Sequence, residues 1–202
     1  MKNFKYFLIP LSLYILISVT GCAGTPASDE LEFISREGWN ALPPKPYASH
    51  VPERITVHHE GTKFDSSKGS PGNFLARVQK WGMGPDRNWS DIPYHYIIDY
   101  SGKVYEGRNV FTVGETGTEY DPTGHLLISL IGNFEVEETK EPQIRTLVKM
   151  LAMNCEKFNI PADSIRTHRD YAKTSCPGKN VYALFENGYI QSEVRKLLSQ
   201  GQ

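Results

Sequence analysis

The chain has 202 residues, 39% of them hydrophobic and 22% charged, a length and balance that bury a substantial core and are too apolar for disorder. Its 22 basic and 23 acidic residues leave a formal charge of -1, without the basic excess by which nucleic-acid binders hold phosphate, so no nucleic-acid partner is expected. Three cysteines are too few for the disulfide framework of a small secreted scaffold.

Residues 1–21 read as an export signal. Lys2 and Lys5 supply a basic start, and the apolar run Tyr6 to Val19 is too short for a confident membrane span. The run ends Val19-Thr20-Gly21-Cys22, and small residues before a cysteine resemble the lipobox of bacterial lipoproteins. That resemblance implies cleavage after Gly21, a diacylglycerol group on Cys22, and a lipid-anchored protein of the bacterial cell envelope facing the periplasm or exterior. Residues 22–32 are then a small, polar tether, and residues 33–202 the folded domain.

Further along, Arg54 to His58 alternates as a strand does, and Pro71 to Trp81 places Leu75, Val78 and Trp81 at helical spacing. Gly82 to Asp91 is loop in composition. Tyr94 to Asp99 and Lys103 to Glu106 form a hairpin about Ser101-Gly102. His125 to Ile131 reads as a central strand buried on both faces. Pro142 opens a helix whose stripe includes Ile144, Leu147, Val148, Leu151, Cys155 and Phe158. A short strand at Ser164 to His168 and a last helix from Tyr189 to Leu198 follow. The pattern predicts an α/β fold, a central mixed sheet flanked by helices.

Two histidines stand at predicted strand ends. His58 lies beside His59, and His168 precedes Arg169-Asp170, with Cys176 eight residues on in Thr174-Ser175-Cys176-Pro177-Gly178. Two imidazoles and a thiolate suit zinc and leave a fourth position open. Spacing alone is weak evidence, since hydrogen-bonded histidines and a core cysteine are the commoner reading of such residues.

The surrounding segments bear on that choice. Ile55-Thr56-Val57-His58-His59, Trp89-Ser90-Asp91-Ile92-Pro93-Tyr94-His95-Tyr96, Ile131-Gly132-Asn133-Phe134 and Thr167-His168-Arg169-Asp170 occur in this order ahead of the cysteine segment. Together they resemble the type 2 N-acetylmuramoyl-L-alanine amidases, the family of the T7 lysozyme-like amidases and the peptidoglycan recognition proteins. Ile34-Ser35-Arg36-Glu37-Gly38-Trp39 with Pro43-Pro44 is similar to the opening segment of the recognition proteins. The resemblance implies a zinc site at strand ends in a surface cleft, with His58, His168 and Cys176 as ligands of Zn2+. It also implies Tyr94 and Thr174 as catalytic residues aiding the reacting carbonyl. The substrate would be peptidoglycan or muropeptides, cut at the amide joining N-acetylmuramic acid to L-alanine. Some family members lack the zinc cysteine and bind without cutting; a binding module of the same fold is therefore the alternative.

One departure from the recognition proteins is the absence of their His-Thr pair, where this chain reads Val113-Gly114-Glu115-Thr116. The general base is left open among Tyr94, Glu60 and Glu115. His59 faces away from His58 on a strand and is expected to be structural, as is His95. Tyr96 is expected to share the face of Tyr94. Cys155 is expected in the core, although a Cys155–Cys176 disulfide would destroy the metal site.

Overall fold

The computed structural model describes residues 30–200; the expected export signal and Cys22 lie outside the described residues. Six strands form one sheet: β1 (Phe33–Ile34), β2 (Arg54–His59), β3 (Tyr96–Ile98), β4 (Val104–Glu106), β5 (His125–Leu130) and β6 (Ile165–Thr167). Their spatial order is β1-β4-β3-β5-β2-β6. β3, β5, β2 and β6 run parallel, and β4 returns antiparallel to β3 through the hairpin. The sheet is mixed, as its sequence pattern implies.

Four helices cover the sheet: α1 (Pro71–Gly82), α2 (Glu141–Phe158), α3 (Lys179–Glu186) and α4 (Tyr189–Gln200). Ser70 caps α1 through its hydroxyl, which accepts from Asn73 N, meeting a donor that the first helical turn leaves free. Asn159 ends α2 in the left-handed region, φ 52°, a conformation asparagine tolerates better than most residues. Within α2, Ile144, Leu147, Val148, Leu151 and Cys155 are buried as one face.

Strand alternation divides the core in two. Ile55 and Val57 of β2 join Leu126, Ile128 and Leu130 of β5 under α2 and α4. On the opposite face Trp39, Leu75, Ile92, Ile97, Tyr105 and Ile131 pack beneath α1. β2 and β5 are buried at nearly every position, as expected where helices cover both faces of parallel strands. Cys155 is buried in the α2 core, and both Cys155 and Cys176 are free thiols, so the disulfide alternative is not realised.

β3 is shorter than its sequence suggests. Tyr94 and His95 precede it, and their carbonyls accept from Arg108 N and Gly107 N. Tyr94 consequently packs with the α1-side core, whereas Tyr96 packs with the α2-side core. The expectation that the two tyrosines share a face is corrected by this early departure from strand geometry.

Candidate metal centre

His58 is the fifth residue of β2. Because Ile55 and Val57 take the α2-side core, alternation turns Thr56 and His58 to the other face. There His58 sits in register with Ser129 of β5. β6 pairs with the other edge of β2, and the chain turns immediately after it, carrying His168 to the same end of the sheet. Asp170 closes that turn, accepting from Thr167 N at 2.7 Å and Thr167 Oγ1 at 2.8 Å. Arg169 donates to the Ser175 carbonyl at 2.8 Å and stands 4.4 Å over the Tyr182 ring. The His-Arg-Asp segment thus supplies one donor, a tie to the residue before Cys176, and the turn itself.

Cys176 completes the cluster. The ligand atoms of His58, His168 and Cys176 lie within 4.8 Å of one another, and the three residues are 2%, 7% and 8% exposed. Cys176 Sγ is 3.7 Å from His58 Nδ1 and accepts from His59 N at 3.3 Å. Thr174 Oγ1 accepts from Cys176 N at 3.2 Å, which anchors the backbone of the thiol. Gly178, φ 86°, lies so close to the Phe134–Glu135 peptide that an added Cβ would stand 2.3 Å from the Phe134 carbonyl carbon.

Burial dictates the protonation of this cluster. It holds the His58 imidazole well below its ordinary pKa, with the His168 charge adding to the effect. It lowers His168 to about 4 and pushes the Cys176 thiol up to about 12. Neutral imidazoles are the form that binds a cation, and a thiol buried beside them becomes a thiolate when a metal replaces its proton. The N, N, S donor set and its spacing fit a zinc ion.

Tyr94 flanks the cluster, its ring centroid 5.3 Å from that of His58. Burial raises its hydroxyl well above the ordinary tyrosine pKa, with the Glu60 and Cys176 charges adding to the effect. Its backbone is gripped closely: a Cβ on Gly107 would stand 2.1 Å from the Tyr94 carbonyl oxygen. The preceding segment is held by Asp91, whose carboxylate accepts from Gln79 Nε2 at 2.6 Å and Ile92 N at 2.7 Å and pairs with Arg36 at 2.9 Å.

The two carboxylate candidates for a base separate cleanly. Glu115 is committed to the buried Arg108 guanidinium and to Ser90 N at 2.8 Å. Glu60 has a buried Oε1 without a hydrogen-bond partner, and burial raises its carboxyl to about 8. His59 is structural, its Nδ1 accepting from Phe134 N at 3.2 Å. His95 is too: its Nδ1 accepts from Leu127 N, and its Nε2 faces the Thr112 carbonyl, both at 2.8 Å.

Sequence reasoning missed Thr118 and Tyr120. Thr118 Oγ1 is 2.6 Å from His168 Nε2, and Tyr120 OH is 3.4 Å from His58 Nε2. Both follow the Val-Gly-Glu-Thr stretch, and no spacing rule marks a hydroxyl as the partner of a distant histidine.

The fold is an α/β domain whose mixed sheet carries, at the carboxyl end of its parallel strands, a buried His–His–Cys cluster with the donors to hold a metal ion. The chain belongs to the N-acetylmuramoyl-L-alanine amidase family, whose profile matches residues 48–179. It is 27% identical over 179 residues to peptidoglycan-recognition protein SD of Drosophila simulans, covering 86% of this chain and 94% of that protein. Similarity to peptidoglycan recognition protein 1 of Bos taurus is 27% over 181 residues, covering 86% and 91% of the two chains. Among solved structures, Drosophila PGRP-SD superposes with a TM-score of 0.67 at 28% identity, over 78% of this chain and 94% of that one. The amidase LysC of Clostridium intestinale shares the fold, with a TM-score of 0.67 at 23% identity over 82% and 99% of the chains.

Proposed function

We propose that the chain is a zinc-dependent hydrolase that cuts the amide between N-acetylmuramic acid and L-alanine of peptidoglycan stem peptides. The observation that supports this reading best is the buried three-donor cluster of His58, His168 and Cys176. Zinc bound there would supply a Lewis acid for the amide carbonyl and an activated water at neutral pH.

The chain's own residues have distinct tasks. Tyr94 keeps its proton, because burial disfavours the phenolate, and so can donate to the oxygen that becomes anionic. Thr174 first orients Cys176 through the bond from Cys176 N; its hydroxyl proton is still available to the same oxygen. Burial of the imidazoles and thiol keeps solvent from competing for the donors.

Peptidoglycan as ligand is supported by family membership and by relatives named for recognising it. One solved neighbour of the same fold is a mutant of Drosophila PGRP-LB in complex with tracheal cytotoxin. Anchoring in the bacterial cell envelope through a lipid on Cys22 belongs to the same proposal and rests on Val19-Thr20-Gly21-Cys22. Labelling cells with a palmitate analogue should mark the wild type and not Cys22→Ala; equal label on both would refute the anchor.

Cys176→Ser distinguishes enzyme from binder. Serine is nearly isosteric, but its hydroxyl resists deprotonation, so zinc should be largely lost and release of free stem peptide should fall to background. Pull-down on cell wall should persist. Cys155→Ser should retain zinc and activity and lose only stability, by burying a hydroxyl in the α2 core. A Cys176→Ser protein that releases stem peptide at the wild-type rate would overturn the zinc mechanism. Wild-type protein that binds wall without cutting it would leave the binding module as the function.

A further inference from the structure

A histidine that binds a metal through one ring nitrogen usually offers the other to a fixed partner, which sets the tautomer and the ring orientation. Both partners here come from one short stretch. His58 turns Nδ1 toward Cys176 Sγ, at 3.7 Å, and its Nε2 meets Tyr120 OH at 3.4 Å. His168 Nε2 meets Thr118 Oγ1 at 2.6 Å, with Thr116 Oγ1 at 3.4 Å.

The stretch is itself held in place. Thr116 Oγ1 and Thr118 Oγ1 are 2.8 Å apart, and Thr118 N donates to Thr116 Oγ1 at 3.2 Å. Tyr120 stacks on Tyr171, 5.6 Å between centroids and 24° between planes, and meets the His168 ring edge-on at 5.2 Å. Upstream, Glu115 is tied to Arg108 and Ser90. The two hydroxyls are therefore fixed at the histidines.

We propose that Thr118 and Tyr120 are positioning residues of the metal centre, accepting hydrogen bonds from Nε2 of His168 and His58 respectively. Each imidazole is thereby held as the Nε2–H tautomer, leaving the Nδ1 lone pair for the metal. Thr118 can then donate its own hydroxyl hydrogen bond to Thr116 Oγ1, so accepting from His168 costs it no donor bond. The inference rests on the zinc reading for its purpose, but the tautomers exist with or without metal.

The test uses full-length protein carrying ¹⁵N-labelled histidine. Long-range proton–nitrogen correlation spectra of the metal-free protein report each ring's tautomer, and competition with a chromophoric chelator reports zinc affinity. The wild type should give the Nε2–H tautomer for His58 and His168. Thr118→Val should mix the tautomers of His168 alone and weaken zinc binding by about 10- to 100-fold; Thr118→Ser should restore both. Tyr120→Phe should do the same to His58 alone. Unchanged tautomers and zinc affinity in Thr118→Val and Tyr120→Phe would overturn the inference, as would an Nδ1–H tautomer at either histidine in the wild type. Fixed Nε2–H tautomers in a wild type that takes up no zinc would refute the metal reading alone.

Discussion

Tyr94 and Thr174 make different kinds of contact, and their variants should separate them. Tyr94→Phe removes one hydroxyl and none of the metal's donors, so turnover on muropeptide should fall roughly 100-fold with zinc retained. Full turnover in that variant would refute the assignment. Thr174→Ala also removes the acceptor for Cys176 N; it should cost about 1 kcal/mol of stability and loosen zinc. Thr174→Ser keeps the hydroxyl and should behave as wild type in both assays. The clustering of His58, His168 and Cys176 is expected from the resemblance of the segments around them, whereas Glu60 and Glu115 look alike as letters. Only packing distinguishes them: one is paired with Arg108, the other lies near Tyr94 with a buried oxygen that has no partner.

At the scale of elements, the segment before β3 is held by side chains far apart in sequence. Asp91 is fully buried and gathers Arg36, Gln79 and its own neighbour Ile92. Asp91→Ala would leave Gln79 Nε2 without this acceptor and Arg36 without its carboxylate, and should cost about 3 kcal/mol, read from urea unfolding. Activity should fall with it, because Tyr94 hangs from the same segment. Gly107→Ala should disturb Tyr94 more directly, since a methyl group cannot fit 2.1 Å from the Tyr94 carbonyl oxygen; a lowered Tm together with lost turnover is the expected result. Long periodic elements were legible: the expected helices at Pro71 and Pro142 match α1 and α2. β1, two residues long, is too short to show a period. α3 was not legible, because its eight residues bury only Val181 fully and so show no apolar stripe.

For the molecule as a whole, acid should act through histidines held neutral. His95 has both ring nitrogens engaged with backbone, and burial lowers it from 6.5 to about 3. Between those values the unfolded chain binds the proton and the native one does not, so stability is complete above pH 6.5 and is lost as the pH falls toward 3. In metal-stripped protein, ΔG of unfolding should decline between pH 6 and 4. His95→Gln should flatten that slope by roughly one proton, about 1.4 kcal/mol per pH unit. An unchanged slope would mean that His95 is accessible to protons in the folded state. The pH response was not legible in the sequence, because a histidine letter carries no information on which backbone groups it will meet.

The distance along the chain between the metal donors has a consequence for timing. His58 and Cys176 are separated by 118 residues, and His168 reaches them only when β6 has docked on the edge of β2. A growing chain that has not yet delivered Cys176, or an unfolded one, therefore has no three-donor centre, and under the proposed function it would be silent as a hydrolase. An ion seated there would clasp the early strand to the late loop like a removable cross-link. Binding would then stabilise the native state increasingly with metal availability, and a chelator should both abolish the proposed activity and lower the melting temperature.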